Sequence, residues 1–327
     1  MPKRSLSDQL EQHIQVLVAA TAPGIAPTDP ELEQLLSIAA DLRHLPRPTF
    51  KEKLKQELIR RATMSSQTVN PIREGFHTIT PYIVVQDPMA LNEFIGKTFG
   101  AIGVNRGIGS AGGYHFEVQI GDSMLMFGGG GTSTVTPMPT ALHVYVEDAD
   151  AAYERAIAAG ATSLGGPVDQ DYGDREAGVT DPTGNRWYIA THKQAGPDKF
   201  IPEGLRTVTL AFHPKGAENF IELLRRGFGA EELEMYKTAA GAVMHAKMRI
   251  GDSVVEVGEA HGPFQPMPTA IFLYVDDADA AYSRAMQAGC TSLWAPADQP
   301  YGDRVGGVQD PSGNHWYPAT HIGGGSE

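Results

Sequence analysis

The sequence has very little cysteine and no long hydrophobic run. Its one cysteine, Cys290, cannot form a disulfide within the chain, and no CxxC pair or Cys/His zinc spacing occurs. No apolar stretch reaches the roughly 20 residues that a transmembrane helix needs. The stretch "IQVLVAATA" at 14–22 is short and follows acidic residues, unlike a signal peptide. These absences predict a cytoplasmic protein that has no membrane partner.

Positive charge is also scarce beyond the N-terminal segment. The formal net charge is -13, and residues 71–327 carry 17 Lys and Arg against 31 Asp and Glu. Such a surface repels phosphate backbones, and no basic patch interleaved with aromatic residues offsets it. The sequence therefore predicts no nucleic-acid partner.

The sequence does contain a long internal repeat. With a shift of 129 residues, "PMPTA" at 137–141 recurs at 266–270 and "DADAAY" at 148–153 recurs at 277–282. The stretch "GDREAGVTDPTGNRWYIATH" at 173–192 returns as "GDRVGGVQDPSGNHWYPATH" at 302–321. Each copy is long enough to be a domain.

The repeat divides the chain into four predicted segments. Residues 1–70 show apolar positions at helical spacing behind Asp or Pro start signals, which predicts a helical extension and a linker. Residues 76–194 and 204–322 are the two repeat domains, and 323–327 form a flexible, glycine-rich tail. Within each copy the pattern is strand, helix and three strands, stated twice.

This order of elements and several motifs resemble the vicinal oxygen chelate (VOC) superfamily of glyoxalases, bleomycin-resistance proteins and extradiol dioxygenases. The resemblance is closest to its PhnB-like branch, for which "TPYIVV", "FGA", "IGDS", "YGDR", "DPTGNRWYIATH" and "DADAAY" are typical. In this family two βαβββ modules pair into a cup-shaped sheet with helices outside. The resemblance implies an α+β fold of two tandem VOC domains behind the helical extension. Each copy is then expected to form a complete cup.

Alternation along each strand sorts its side chains into a helix-facing and a cup-facing set. The helix-facing set is apolar and includes Trp187 and Trp316, which are therefore interpreted as core residues. The concave face is aromatic and carries few metal donors. The ligand-binding residues predicted on it are Tyr82, His115, Glu117, Met126, His143, Tyr145, Tyr188, His245, Glu256, Phe272, Tyr274 and Tyr317.

Metal enzymes of the superfamily take ligands from four strands of a cup and leave positions open for substrate. Carried over by motif, those positions are Thr80, Met126, Ala141 and Tyr188 in the first copy and Thr209, Glu256, Ala270 and Tyr317 in the second. Glu256 alone among them has suitable chemistry, and one carboxylate does not hold a transition metal. The resemblance thus implies a protein that lacks the usual metal.

An offset metal site is an alternative. On the concave face, His115, Glu117 and His143 form a 2-His-1-carboxylate grouping, and His245 with Glu256 is a second grouping. A divalent ion (Fe, Mn, Ni or Zn) would then serve a lyase, isomerase or extradiol-type dioxygenase. His143 and Glu256 are the candidate catalytic residues of that enzyme.

The repeated stretch at 173–192 and 302–321 is interpreted as scaffold. It supplies a loop, a turn, a core Trp and one cup-facing Tyr; Asp174 with Arg175 is either a clamp at the cup mouth or an ion pair that orders the loop. Function is expected where the copies differ: His143 against Phe272, Glu117 against Lys247, and Met126 against Glu256.

The first function predicted is binding of a small, largely apolar molecule in a cup, and resistance-type sequestration is one form of it. The alternative is the metal-dependent enzyme described above. A third hypothesis makes the N-terminal helices the working part, which dock a partner or help form a homodimer.

Overall fold

The computed structural model describes residues 69–101, 103–108, 112–132, 136–193, 200–262 and 264–323. Residues 1–68 of the predicted helical extension and linker (1–70), and residues 324–327 of the predicted tail, lie outside the described residues. Both repeat copies belong to one compact unit, Val69–Glu327. Within the described ranges, no helix is long and apolar enough to cross a membrane.

The first copy contains two βαβββ modules, in the predicted order. The first module comprises β1 (Ile79–Val85), α1 (Pro88–Phe99), β2 (Gly103–Ile108), β3 (Tyr114–Ile120) and β4 (Ser123–Gly129). The second comprises β5 (Ala141–Tyr145), α2 (Ala149–Ala158), β6 (Thr162–Asp169), β7 (Asp174–Thr180) and β8 (Arg186–His192).

The second copy repeats this arrangement. The third module comprises β9 (Val208–Phe212), α3 (Ala217–Phe228), β10 (Glu231–Lys237), β11 (Val243–Ile250) and β12 (Ser253–Val257). The fourth comprises β13 (Ala270–Tyr274), α4 (Ala278–Gln287), β14 (Thr291–Asp298), β15 (Asp303–Gln309) and β16 (His315–His321).

The caps of the second helix in each copy follow from the motif "DADAAY". Asp148 accepts a hydrogen bond from the backbone N–H of Ala151 at 2.9 Å, and Asp277 accepts one from Ala280 at 3.0 Å. Such a cap satisfies an N–H group that the first helical turn leaves without a partner. Both helices therefore start where the sequence predicts.

The strands form two eight-stranded sheets, and each sheet combines modules from both copies. The first sheet has the order β14-β15-β16-β13-β1-β4-β3-β2, and the second β10-β11-β12-β9-β5-β8-β7-β6. The first and fourth modules thus share one sheet, and the second and third modules share the other. The α+β tandem VOC fold is confirmed. The expectation that each copy completes a cup by itself is wrong.

The two "IGDS" turns each bind the other copy and connect the two sheets. Asp122 accepts a hydrogen bond from the backbone N–H of Thr207 at 2.9 Å, just before β9. Reciprocally, Asp252 accepts one from the N–H of Thr78 at 2.8 Å, just before β1. Within the sheets, the copies meet where β1 pairs with β13 and where β5 pairs with β9, both antiparallel.

The main core lies between the sheets and the helices, and each copy contributes a fully buried Trp to it. The indole N–H of Trp187 donates to Asp181 at 2.8 Å, and that of Trp316 donates to Asp310 at 2.8 Å. Trp316 also stacks on Phe228, with ring centroids 4.2 Å apart. Both Asp residues open the Asp-Pro turn before the last strand. The interpretation of Trp187 and Trp316 as core residues is confirmed.

Candidate functional site

Because each sheet combines modules from both copies, the predicted site residues fall into two groups that differ from the groups expected for each copy alone. We call the faces of the first and second sheets that turn away from the helices the first cup and the second cup. The first cup carries Tyr82, His115, Glu117, Met126, Phe272, Tyr274 and Tyr317; the second carries His143, Tyr145, Tyr188, His245 and Glu256. The grouping of His115 and Glu117 with His143 is therefore wrong, because the second module pairs with the third.

The second cup is centred on a contact between His143 of β5 and Glu256 of β12. Nδ1 of His143 lies 3.0 Å from Oε2 of Glu256, and both side chains are buried. Strand β9 stands between β5 and β12 and presents Thr209 beside His143 and Ala211 beside Glu256. These small neighbours leave room for the two larger side chains to meet.

A second carboxylate, Glu176 of β7, approaches the other side of the ring and was missed by sequence reasoning. Its Oε2 lies 3.4 Å from Nε2 of His143 and accepts a hydrogen bond from the Tyr172 hydroxyl at 2.9 Å. The approach to Nε2 lacks hydrogen-bond geometry, so Nε2 is buried without a hydrogen-bond partner in the described structure. Strand alternation could have found Glu176, since it pairs with the cup-facing Ala190.

The charges fix the protonation state of this centre. Burial lowers the pKa of His143, but the charge and hydrogen bond of Glu256, helped by Glu176, outweigh it and raise that pKa to about 9. Burial raises the pKa of Glu256, yet the same contact with His143 leaves it below its ordinary value. At neutral pH the pair is an imidazolium and a carboxylate. Within the described residues, the Nε2–H group of the imidazolium makes no hydrogen bond and has only the 3.4 Å ion-pair contact with Glu176.

Asp174 provides a rigid frame behind the pair. It accepts a hydrogen bond from the Tyr145 hydroxyl at 3.1 Å and contacts Nδ1 of His192 at 2.5 Å. The Tyr145 ring stacks on His143 with centroids 4.6 Å apart. The first cup has the same frame, because Asp303 accepts from the Tyr274 hydroxyl at 2.9 Å. The frame is therefore a property of both cups.

An aromatic wall stands beside the charged centre of the second cup. Tyr188, opposite His143 in the register of β5 and β8, lies 5.7 Å from the Phe264 ring and 6.1 Å from the His213 ring. Burial, with the positive charges of His261 and Arg186, lowers the pKa of His213 to about 4. His213 is therefore a neutral ring at physiological pH, and the wall is uncharged.

Three other side chains lie outside the contact between His143 and Glu256. His245, on the second cup, has its Nε2 atom 3.8 Å from Oε1 of Glu234. Arg175 points to the opposite face from Asp174 and binds Asp150 at the start of α2, so the clamp interpretation is wrong. Cys290 is buried, and burial raises the pKa of its thiol to about 12.

The first cup has different chemistry at the corresponding positions. Phe272, Val305 and Met126 stand where the second cup has His143, Glu176 and Glu256. Its buried carboxylate, Glu117, is bound by the guanidinium groups of Arg73 and Arg106. The first cup therefore has an apolar centre and a neutralised rim.

The usual metal positions of the superfamily do not fit a metal in either cup. With the observed pairing they are Thr80, Met126, Ala270 and Tyr317 in the first cup, and Ala141, Tyr188, Thr209 and Glu256 in the second. Glu256 binds His143, and the other three positions of that cup, Ala141, Tyr188 and Thr209, supply no His, Asp, Glu or Cys ligand. Among the described residues, no group of three or more His, Cys, Asp or Glu side chains is arranged to hold a metal ion.

Two curved sheets, each built from two βαβββ modules with helices on one face, define a glyoxalase-type fold. The chain belongs to the Glyoxalase/Bleomycin resistance protein/Dioxygenase superfamily, whose sequence profile matches residues 76–189 and 214–317. This family confirms the superfamily resemblance deduced from the motifs.

The chain is also similar to several proteins in sequence and to several solved structures in fold. Uncharacterized proteins of Mycobacterium bovis and Mycobacterium tuberculosis are 33% identical over 122 residues, which is 34% of this chain and 80% and 72% of theirs. Glyoxalase I from Zea mays matches 74% of this chain and 92% of its own at 13% identity, with a TM-score of 0.55. A putative dioxygenase from Bacillus subtilis matches 75% and 85% at 14% identity, with a TM-score of 0.51. At such identities the likeness shows the fold alone.

Proposed function

We propose that this protein binds a small, largely apolar molecule in the second cup, without the metal that is usual in the superfamily. The observation that carries the proposal is the buried Nε2–H group of His143, which has no hydrogen-bond partner in the described structure. A buried donor without an acceptor costs about 1–3 kcal/mol. A ligand oxygen that accepts this hydrogen bond would recover that free energy.

The surroundings of Nε2 restrict the polar end of the ligand. Glu176 and Glu256 flank the ring, so an anionic group placed there would be repelled. A neutral acceptor, such as a ketone, amide or phenol oxygen, meets the imidazolium without that penalty. The remainder of the ligand would pack on the aromatic wall of Tyr188, His213 and Phe264, which suits an apolar or aromatic body.

The first cup supports the proposal by contrast. It keeps the Asp303 and Tyr274 frame but replaces the three residues of the charged centre with apolar ones. If those three residues only held the fold together, an apolar set would serve equally well in the second cup. Their restriction to one cup favours a role in ligand binding.

The test transplants the centre of the first cup into the second. Neutral aromatic ketones, amides and phenols are screened by thermal shift, and hits are measured by calorimetry on wild type and on a His143→Phe/Glu176→Val/Glu256→Met variant. We expect hits that bind wild type and lose at least about tenfold in affinity in the variant, since a lost charged hydrogen bond costs about 1.5–3 kcal/mol. Phe272→Leu, a matched change in the first cup, should leave their affinity unchanged.

Elemental analysis of untagged protein tests the proposal that binding does not depend on a metal ion. We expect substoichiometric metal and unchanged ligand binding after chelation. About one Fe, Mn, Ni or Zn ion per chain, lost together with ligand binding, would contradict the proposal and favour the metal-dependent lyase, isomerase or dioxygenase.

Within the superfamily, we propose the PhnB-like branch, on the motifs "TPYIVV", "IGDS" and "DPTGNRWYIATH". The proposal also places the protein in the cytoplasm, with a small molecule as partner and with neither nucleic acid nor a membrane. The third hypothesis, in which the N-terminal helices dock a partner or a second copy, is tested by deleting residues 1–70. Unchanged mass in solution and unchanged partner capture would remove it.

A further inference from the structure

The segment that precedes β1 enters the first cup. The backbone N–H of His321, at the end of β16, donates to the carbonyl oxygen of Pro71 at 2.8 Å. The chain then turns, and the N–H of Phe76 donates to the carbonyl of Arg73 at 3.0 Å. This turn directs the side chains of Arg73 and Phe76 into the cup.

Arg73 binds the buried carboxylate of the first cup through two parallel hydrogen bonds. Its Nη1 and Nη2 atoms lie 2.6 Å and 2.9 Å from the two carboxylate oxygens of Glu117. Nε of Arg106 adds a third contact at 2.9 Å. A planar guanidinium matches a carboxylate in this manner, and a single point charge does not.

Phe76 fills the apolar centre of the first cup. Its ring lies 5.8 Å from that of Tyr274, and it packs in a small buried cluster with Met126 and Val305, separate from the main core. The guanidinium carbon of Arg73 lies 4.6 Å from the centroid of the Phe76 ring. Together the two side chains place a planar cation next to an aromatic ring inside the cup. A small molecule with both groups would make the same contacts.

The linker before the second copy shows that the fold does not require these two side chains. It makes the same contacts at the second cup: the N–H of His192 donates to the carbonyl of Phe200, and that of Leu205 donates to Pro202. Yet Pro202 and Leu205 stand where the first linker has Arg73 and Phe76. The same backbone turn is present at both cups, whereas the guanidinium group and the aromatic ring occur only at the first cup.

We propose that the first cup is a second binding site, specific for molecules that join an amidinium or guanidinium group to an aromatic ring. Arg73 and Phe76 occupy it as a built-in competitor. This site is distinct from the second cup and from the function proposed for it. Because Arg73 and Phe76 compete with an external ligand, the apparent affinity equals the intrinsic affinity multiplied by the fraction of molecules in which these side chains have left the cup.

Benzamidine, a phenyl ring that bears an amidinium group, is the probe. Calorimetry is carried out on full-length wild type and on an Arg73→Ala/Phe76→Ala variant whose fold is checked by circular dichroism. We expect the variant to bind one benzamidine per chain, at least about tenfold more tightly than wild type. Benzamide, which has the same shape without the charge, should bind the variant no more tightly than it binds wild type, because it cannot form an ion pair with Glu117.

Two further variants locate the binding. Adding Glu117→Gln to the double variant should abolish benzamidine binding, because it removes the buried charge that the amidinium pairs with. Pro202→Ala/Leu205→Ala, the matched change in the second linker, should bind benzamidine no better than wild type. Equal binding by this control, binding that survives Glu117→Gln, or no binding to the double variant would each overturn the proposal.

A measurement on the wild-type protein keeps the proposal testable if the double variant does not fold. Benzamidine at millimolar concentration should raise hydrogen exchange of the amides at 72–76, in particular that of Phe76, because the segment must leave the cup. Exchange that stays unchanged while benzamidine binds, or an absence of binding at all concentrations, would contradict it.

Discussion

His143 and Glu256 lie 113 residues apart in the sequence and in different repeat copies, yet their side chains form a buried pair at 3.0 Å. This contact exists only because the second module shares a sheet with the third. The second cup is therefore a site between the copies. Neither copy expressed alone would contain it.

The pair makes stability depend on pH. The pKa of His143 rises from 6.5 to about 9 on folding, so its contribution is complete below pH 6.5 and is lost as pH rises through 9. Glu256 behaves oppositely, because its pKa is lowered on folding. Its carboxylate stabilises the folded state above pH 4.5, and that stabilisation is lost as the pH falls below this value. We expect the free energy of unfolding to fall between pH 6.5 and pH 9.5 by an amount on the order of 3 kcal/mol.

Urea unfolding at these two pH values checks this prediction, with His143→Phe/Glu256→Met as the baseline for every other titrating group. The decrease should be smaller in that variant by the contribution of His143. A histidine titration followed by NMR gives the pKa directly. A titration midpoint near 6.5 would show that Glu256 does not raise the pKa of His143.

The two members of the pair should be strongly coupled. Removing Glu256 alone leaves a buried imidazolium, and removing His143 alone leaves a buried carboxylate; each change should cost about 3 kcal/mol. His143→Phe/Glu256→Met should cost less than the sum, since Phe272 and Met126 occupy the same positions within one apolar cluster of the first cup. A double-mutant cycle at pH 7 measures the coupling. Additive costs would refute a direct interaction.

Gly121, in the first "IGDS" turn, should tolerate no side chain. Its φ is +57°, and a Cβ atom there would lie 2.2 Å from Oγ1 of Thr207 in the other copy. We expect Gly121→Ala to destabilise the protein by about 3 kcal/mol, from backbone strain and steric overlap together. Gly229→Ala is the control, because its φ is +71° but nothing lies within 4 Å of the new Cβ. That change should cost only about 1 kcal/mol, measured by equilibrium unfolding in urea.

The elements and their faces could be predicted from the sequence because they depend on local rules. The alternation that put Trp187 under a helix and His143 in a cup holds in the structure. The partner of each module could not be predicted in this way. The motif "IGDS" occurs in both copies. Asp122 binds Thr207 and Asp252 binds the equivalent Thr78, so local chemistry leaves open both pairings, within a copy and between copies. Only packing over the whole chain decides between them.

The same limit applies to the candidate site. The residues of the His143 and Glu256 pair were both singled out, but their contact depends on the pairing of modules. Glu176 was missed because the comparison of copies used strands β3, β4 and β5, whereas Val305 replaces it on β15. The role of Arg73 was hidden in a segment that the pattern indicated only as linker.

Cys290 should be unreactive in the folded protein. It is 5% exposed, and burial, with the charge of Asp310, raises the pKa of its thiol to about 12. At pH 8 only about one molecule in ten thousand would then carry the reactive thiolate. We expect a disulfide reagent such as Ellman's to modify the native chain no faster than the chain unfolds, and to modify it at once in 8 M urea. Rapid modification without denaturant would contradict the prediction, because it would mean that this thiol is accessible and ionised.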